Sequence, residues 1–194
     1  MAQSVKIMVR EVRCTYPKLF TPEEYKGKTK YSIGLIIPKD SDNFKRITEA
    51  IQQAVANQFG EKDVAKKIKS FKIAGVTKMP VKPFGDDDDT VIITPKLDAA
   101  KGKPTVLNRN KTPINPEAGI PFGGCWVNCS LDVFCHNKEG GGIAFYLNGV
   151  QFVKEDAHLD AGASHANCAD DFDALEDTGD ESDTTAKNEA EDIW

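Results

Sequence analysis

The sequence predicts a mainly β domain carrying one long helix and one shorter one, followed by a polar tail that builds no core. Three observations carry this reading. Several stretches alternate apolar with polar residues, the period of a half-buried strand; only about thirty residues repeat at helical spacing; and apolar content collapses after Lys154. With 194 residues, the chain suffices for one ordinary domain plus an extra segment and is too short for two substantial cores.

The first element runs from Val5 to Arg13, with Val5, Ile7 and Val9 on one side and Lys6 and Arg10 on the other. A loop rich in Lys and aromatic residues is expected next, from Tyr16 through Lys28. It leads into a second strand, Lys30 to Ile37, closed by Pro38. Asp40 or Ser41 is placed to cap a helix in which Phe44, Ile47, Ile51, Ala54 and Val55 recur at helical spacing, ending near Gly60. A Lys-rich helix follows over Val64 to Lys69. From Phe71 to Lys154 the chain is punctuated by Pro and Gly and reads as strands and long loops.

The clearest strand there is Cys125 to His136. Its odd positions, Cys125, Val127, Cys129, Leu131, Val133 and Cys135, suit burial, whereas its even positions include Trp126, Asp132, Phe134 and His136. The glycine-rich turn Asn137 to Gly142 then returns the chain as Ile143 to Leu147, continuing toward Val153, which makes a hairpin. Residues 160–194, dominated by Asp, Glu, Ala, Ser and Thr, cannot bury enough surface to offset their ordering entropy and are expected to be disordered.

Charge divides at the same place. The net charge of −5 comes from 25 Lys and Arg against 30 Asp and Glu. Residues 155–194 hold 14 of the acids and one base, Lys187, which leaves residues 1–154 with 24 bases and 16 acids. A body of +8 therefore carries a tail of −13. A basic body with an acidic tail is a charge pattern of nucleic-acid-binding proteins.

Other classes fit less well. No run of about 18 apolar residues predicts a membrane span, and the start of the chain lacks the apolar stretch of a secretory signal. Five cysteines, an odd number, suit reduced thiols better than a disulfide framework. Cys125, Cys129, Cys135 and His136 have the wrong spacing for structural zinc, so burial is expected and no metal or other cofactor. His158 and His165 have no evident partner. Nucleophile elbow, phosphate loop and dinucleotide fingerprint are absent, and the expectation is a binding protein with no catalytic residue.

The combination that points to a ligand is cationic and aromatic. Lys18, Lys26, Lys28 and Lys30 sit among Tyr16, Phe20, Tyr25 and Tyr31, and Lys101, Lys103, Arg109 and Lys111 lie in a Pro-rich loop before the hairpin that carries Trp126, Phe134 and Tyr146. Single strands are gripped in this way: cations follow phosphates while rings stack on bases, at roughly 1–3 kcal/mol per base. Trp126 and Phe134 are the favoured stacking rings, because their parity opposes the apolar face.

Five segments, in order, carry a resemblance: Tyr16 to Phe20, Lys30 to Lys39, Gly124 to Leu131, Gly142 to Gln151, and Asp171-Phe172. Together they resemble a bacteriophage single-stranded DNA-binding protein family long known only as a domain of unknown function. The resemblance implies an OB-fold, a five-stranded Greek-key barrel, over residues 1–159 with one or two helical insertions. It implies work in phage DNA replication, recombination and repair, in the cytoplasm of the infected bacterial host. The tail, residues 160–194, resembles the acidic tails of single-strand binders, ending here in Asp192-Ile193-Trp194 with a second apolar spot at Phe172.

Partners follow from this. Single-stranded DNA is the expected ligand, duplex DNA a weaker one, and phage replication or recombination proteins the expected readers of the tail; a membrane is not among them, and monomer and dimer are both open. A flexible chain of about 40 residues has an r.m.s. reach of about 35 Å, enough to compete with DNA for a basic groove. Two alternatives belong to other classes. One is a metal-dependent nuclease built on Asp86, Asp87, Asp88 and Asp89 with Asp98 or Asp132; the other is a protein-interaction module whose tail mimics DNA.

Overall fold

The computed structural model describes residues 3–25, 27–85 and 88–159. The chain divides into two units, Met1–Ala161 and Gly162–Trp194. The second lies wholly outside the described residues, and with it the expectation of disorder and the positions Phe172, Asp192, Ile193 and Trp194.

The first unit is built from strands β1 (Val5–Tyr25), β2 (Lys28–Pro38), β3 (Val81–Pro83), β4 (Thr90–Ile93), β5 (Lys96–Asp98), β6 (Thr105–Leu107), β7 (Trp126–His136) and β8 (Gly142–Lys154). Two helices, α1 (Asp42–Phe59) and α2 (Val64–Ile73), follow β2. Pairing closes a ring. β1 pairs with β2, β2 with β5, β7 with β8 and β7 with β1, all antiparallel, while β5 lies parallel to β8. The order β1-β2-β5-β8-β7 is that of an OB barrel, with the helices inserted after its second strand. β4 and β3 extend the sheet beyond β2, and β6 adds itself in parallel to β8.

β1 corrects the expectation of a loop from Tyr16 onward. It is one 21-residue strand whose first half pairs with β7 and whose second half pairs with β2, so it turns the barrel corner. Register shifts between Val9 and Val12, between Thr15 and Lys18, and between Lys18 and Glu23 mark its bulges, with Glu11 at φ 47° and Tyr16 at φ 43°. Each bulge adds an unpaired residue and bends the strand. It also breaks the alternation by which a strand is recognised, which is why the sequence read as a loop. Side-chain amides satisfy the backbone freed at the first bulge: Arg10 N–H donates to Asn43 Oδ1 at 3.0 Å, and Glu11 N–H to Asn128 Oδ1 at 2.9 Å.

Ser41 is the helix cap, its hydroxyl accepting from Phe44 N–H at 3.2 Å. The buried face of α1, Ile47, Ala50, Ile51, Ala54 and Val55, packs against β7 and β1. α2 runs a turn further than its Lys-rich stretch suggested, because Phe71 is buried, 6.4 Å from the ring of Phe59. The hairpin turn of β7 and β8 lies on these two rings: a Cβ on Gly141 would come within 3.0 Å of both.

β7 alternates without a break, its odd residues Val127, Cys129, Leu131, Val133 and Cys135 all inward. The expectation of burial for Cys125, Cys129 and Cys135 holds, and Cys14 joins them. Burial pushes the Cys129 thiol up to about 12, with Cys14 nearby adding to the effect, and it raises Cys125 and Cys135 as well. Such thiols pack as small apolar groups and are poor nucleophiles.

Candidate nucleic-acid interface

Because neighbours two apart on a strand share a face, the register of the barrel sets which side chains meet outside it. One row runs all the way round. Lys18 stands opposite Ser32, Ser32 opposite Lys96, Lys96 opposite Tyr146, Tyr146 opposite Asp132, and Asp132 opposite Lys6. The lysines and Tyr146 of this row are exposed, and Ser32 and Asp132 partly so.

Around the row the barrel sets rings among cations. Phe134 lies 5.9 Å from Tyr146 at an interplanar angle of 52°, and Lys101 Nζ stands 5.2 Å from the Tyr146 centroid. Tyr146 still leaves 39% of itself open, and Tyr16 leaves 66%. Tyr16, Lys18, Ser32 and Lys96 line one groove of about 220 Å³ across β1, β2 and β5. Its floor depends on Gly34, where a Cβ would lie 2.6 Å from Thr15 Cγ2 and 3.0 Å from the Thr15 carbonyl oxygen. The positive φ of Tyr16 and the missing side chain of Gly34 thus bring β1 and β2 close while the phenol points away.

The structure therefore joins Tyr16, Lys18, Phe134 and Tyr146 on strands of the outer face, with Lys101 reaching Tyr146 from the short turn after β5. It adds Lys96, which the sequence reading missed. Lys96 follows Pro95 in a three-residue strand, too short to show a period; its only signal was being a lysine between two apolar runs.

Other candidates go elsewhere. Tyr31 is 4% exposed and pairs inward with Leu97, so its ring belongs to the core and offers no stacking face; β2 alternates, and Lys30 and Ser32 take the outside. Lys30 stands opposite Asp98, and Lys28 is exposed where β2 begins. Phe20 is half-buried against the core and borders a hollow shared with Lys103 and the loop through Pro116. Arg109 and Lys111 are exposed on the turn after β6. Lys26 and the Tyr25 side chain lie outside the described residues.

Trp126 and Phe134 do not form one stacking face. Both point outward, but eight residues of strand separate them, about 26 Å at 3.3 Å per residue. Parity decides the side of a sheet and says nothing about position along it. Trp126 is engaged by the segment that follows β8: its Nε1–H donates to Asp156 at 2.8 Å, and Lys154 Nζ lies 4.9 Å from its ring. His158, expected to lack a partner, stacks on Phe122 at 3.9 Å between centroids and 12° between planes.

Of the acidic run, the described residues Asp88 and Asp89 lie at the other end of β2 from Asp98. Asp86 and Asp87 lie outside the described residues. Asp88 and Asp89 precede Thr90, which faces Pro38 at one end of β2, whereas Asp98 faces Lys30, eight residues away along the same strand. Asp98 is already the cap of a short turn, accepting from Ala100 N–H at 3.0 Å. Among the described residues no group of three or more His, Cys, Asp and Glu side chains converges as metal ligands would.

An OB barrel whose outer face sets open rings between lysines belongs to the class of oligonucleotide-binding barrels. The particular family is evident from comparison. The chain belongs to the family described as Enterobacter phage Enc34, ssDNA-binding protein, which it matches over residues 5–185. The single-stranded DNA-binding protein from bacteriophage Enc34, solved in complex with ssDNA, is 27% identical and superposes with a TM-score of 0.62, over 82% of this chain and 94% of that one. Putative protein p50 of Acyrthosiphon pisum secondary endosymbiont phage 1 is 29% identical over 180 residues, 89% of this chain and 97% of the relative. Gp2.5, a single-stranded DNA-binding protein encoded by bacteriophage T7, is 16% identical with a TM-score of 0.58 over 93% of this chain and all of that one, a likeness of fold.

Proposed function

We propose that this protein binds and protects single-stranded DNA during phage DNA replication, recombination and repair, in the cytoplasm of the infected host. The observation that carries the reading is the outer row Lys18–Ser32–Lys96–Tyr146, flanked by Tyr16, Phe134 and Lys101. Lysines along it neutralise phosphates and release counterions, while Tyr146 and Phe134 offer π-faces to bases of any identity. Family membership supports the ligand. The work is binding, and the protein has no catalytic step of its own.

The acidic tail gives the reading its second part. A segment of −13 joined to a body of +8 is a tethered polyanion, which lowers the affinity of that body for DNA and lowers it most for duplex, whose stiff helix cannot present bases to the rings. A strand that displaces the tail frees Asp192-Ile193-Trp194 for phage replication or recombination proteins.

The test is a titration of fluorescent single-stranded and duplex DNA with the full chain and with residues 1–159, at two salt concentrations. Expected are tight, salt-sensitive binding of single strands, weaker binding of duplex, and a rise in affinity for both at low salt on removing residues 160–194. Equal affinity with and without the tail overturns the competition. No binding of single strands overturns the function, and strand cleavage in the presence of Mg²⁺ overturns its non-enzymatic character.

A further inference from the structure

A second outward row crosses the barrel one step from the first. Met8 stands opposite Ser130, Ser130 opposite Gly149, and Gly149 opposite Thr105. On β7 this row is two residues from Asp132 and on β8 three residues from Tyr146, so it lies about 7 Å from the row of Tyr146 on the one strand and about 10 Å on the other. Here the sheet is hollow. Gly149 has no side chain, and a Cβ would sit 2.9 Å from the Thr105 carbonyl oxygen, which is how β6 comes so close to β8. The result is a groove of about 310 Å³ whose open sides are the thioether of Met8, 39% exposed, and the partly exposed Leu107.

The far wall is a built one. Asn128 Nδ2 donates to Gln151 Oε1 at 3.0 Å, and Gln151 Nε2 donates to the carbonyls of Asn108 and Arg109 at 3.4 and 3.3 Å. Asn108 in turn accepts from Asn110 N–H and Thr112 N–H, both at 2.9 Å. These bonds hold the turn that carries Arg109 and Lys111 beside the groove, and of the two it is Lys111, at φ 63°, that lines it. Because β6 runs parallel to β8, the segment 101–111 follows β8 from Lys101 above Tyr146 to Lys111 above the groove.

We infer that this groove is a second base subsite, in which a nucleotide next to the one on the Tyr146–Phe134 platform puts its base against Met8 and Leu107 while Lys111 and Arg109 take its phosphate. The inference rests on the reading of the platform as a DNA surface. Three features select a nucleobase over an apolar peptide: a cationic rim suits a polyanion, the groove continues a line of rings and cations along one strand, and the step of about 7 to 10 Å is within reach of neighbouring nucleotides whose bases are unstacked and splayed apart. A thioether and a Leu edge are sequence-tolerant partners for a flat ring.

Ser130→Trp fills the groove from the outer face of β7 without touching the core. Its affinity is measured for a short oligothymidine sized to the platform and for a longer one, beside Tyr146→Ala as a control. Expected is a loss of roughly ten- to hundredfold for the longer strand, little change for the short one, and a loss for both with Tyr146→Ala. If Ser130→Trp binds the longer strand as the parent does while Tyr146→Ala does not, the subsite is overturned, the platform stands, and the groove is left to a protein ligand. If neither variant weakens binding, the platform reading fails first. Should Ser130→Trp not fold, Met8→Ala on the surface gives the same comparison, and a 5-iodouracil strand irradiated on the unmodified protein is expected to crosslink to the Met8 peptide. Crosslinks confined to peptides outside the groove overturn the inference.

Discussion

The indole Nε1–H of Trp126 donates a 2.8 Å hydrogen bond to the carboxylate of Asp156, thirty residues further along the chain. Around this bond the segment after β8 is fastened to the barrel. Arg13 places its Nε 3.7 Å from the same carboxylate and donates from a terminal nitrogen to the Ala157 carbonyl at 2.8 Å. Leu159 N–H donates to the Gly123 carbonyl at 3.0 Å. Gly124, at φ 116°, has no space for a Cβ, which would lie 2.1 Å from the Ala157 oxygen. A ring that parity offers to a ligand is thus held by the residues at the end of the described body.

The bond makes Asp156 a reporter of this fastening. The hydrogen bond from Trp126, then that from Ala157 N–H, and then the charges of Arg13 and Lys154 hold its carboxyl below the usual carboxylate range. A depressed carboxylate keeps its contacts above the ordinary value near 3.9 and loses them as pH falls through the lowered one. With Trp194→Phe, Trp126 is the sole tryptophan of the chain. Its fluorescence is expected to change with a midpoint below about 3.9, and Asp156→Asn to abolish the transition. A midpoint at or above that value contradicts the assignment.

The platform rings should separate binding from folding. Tyr146→Ala and Phe134→Ala are each expected to cost about 1–3 kcal/mol in single-strand affinity, with Tm nearly unchanged because both side chains are on the outer face. Calorimetry with and without DNA reads both quantities. A large fall in Tm would place these rings with the core.

For the lysines the readout is salt. Lys18→Gln, Lys96→Gln and Lys101→Gln are each expected to weaken binding to all sequences alike and to flatten the plot of log affinity against log salt by about 0.7, the value for one phosphate on a single strand. Lys72→Gln, on α2 and away from the row, serves as the comparison. An unchanged slope takes the tested lysine off the strand's path.

Gly34→Ala tests the corner. The added methyl would meet the Thr15 side chain at 2.6 Å and its carbonyl at 3.0 Å, and backbone cannot yield as a flexible side chain does. The expected cost is about 1–3 kcal/mol of stability by urea denaturation, and single-strand affinity should fall as Tyr16 and Lys18 are displaced. Stability equal to the parent's would mean that β1 moves away freely.

Much of the body was legible because its strands obey their period. β7 could be assigned residue by residue from Cys125 to His136, its inward cysteines included, and α1 from its cap and stripe. β1 was legible only to Arg13, since each bulge shifts the alternation and a shifted period looks like none. β3, β5 and β6 span three residues each, less than two periods. Tyr31 shows the same limit at one position: a tyrosine among lysines reads as a ligand surface until its strand neighbours are known to face outward in its place.

From the sequence alone came the class of fold, the division of charge between body and tail, and the list of rings and cations from which an interface would be drawn. These depend on composition and on short-range period, which need no knowledge of what lies across the sheet. Only the tertiary structure chose among the candidates. It put Lys96 into the row, Tyr31 into the core and Trp126 against Asp156, because strand register and the path of the chain after β8 bring together residues thirty or more positions apart, and no local pattern encodes that distance.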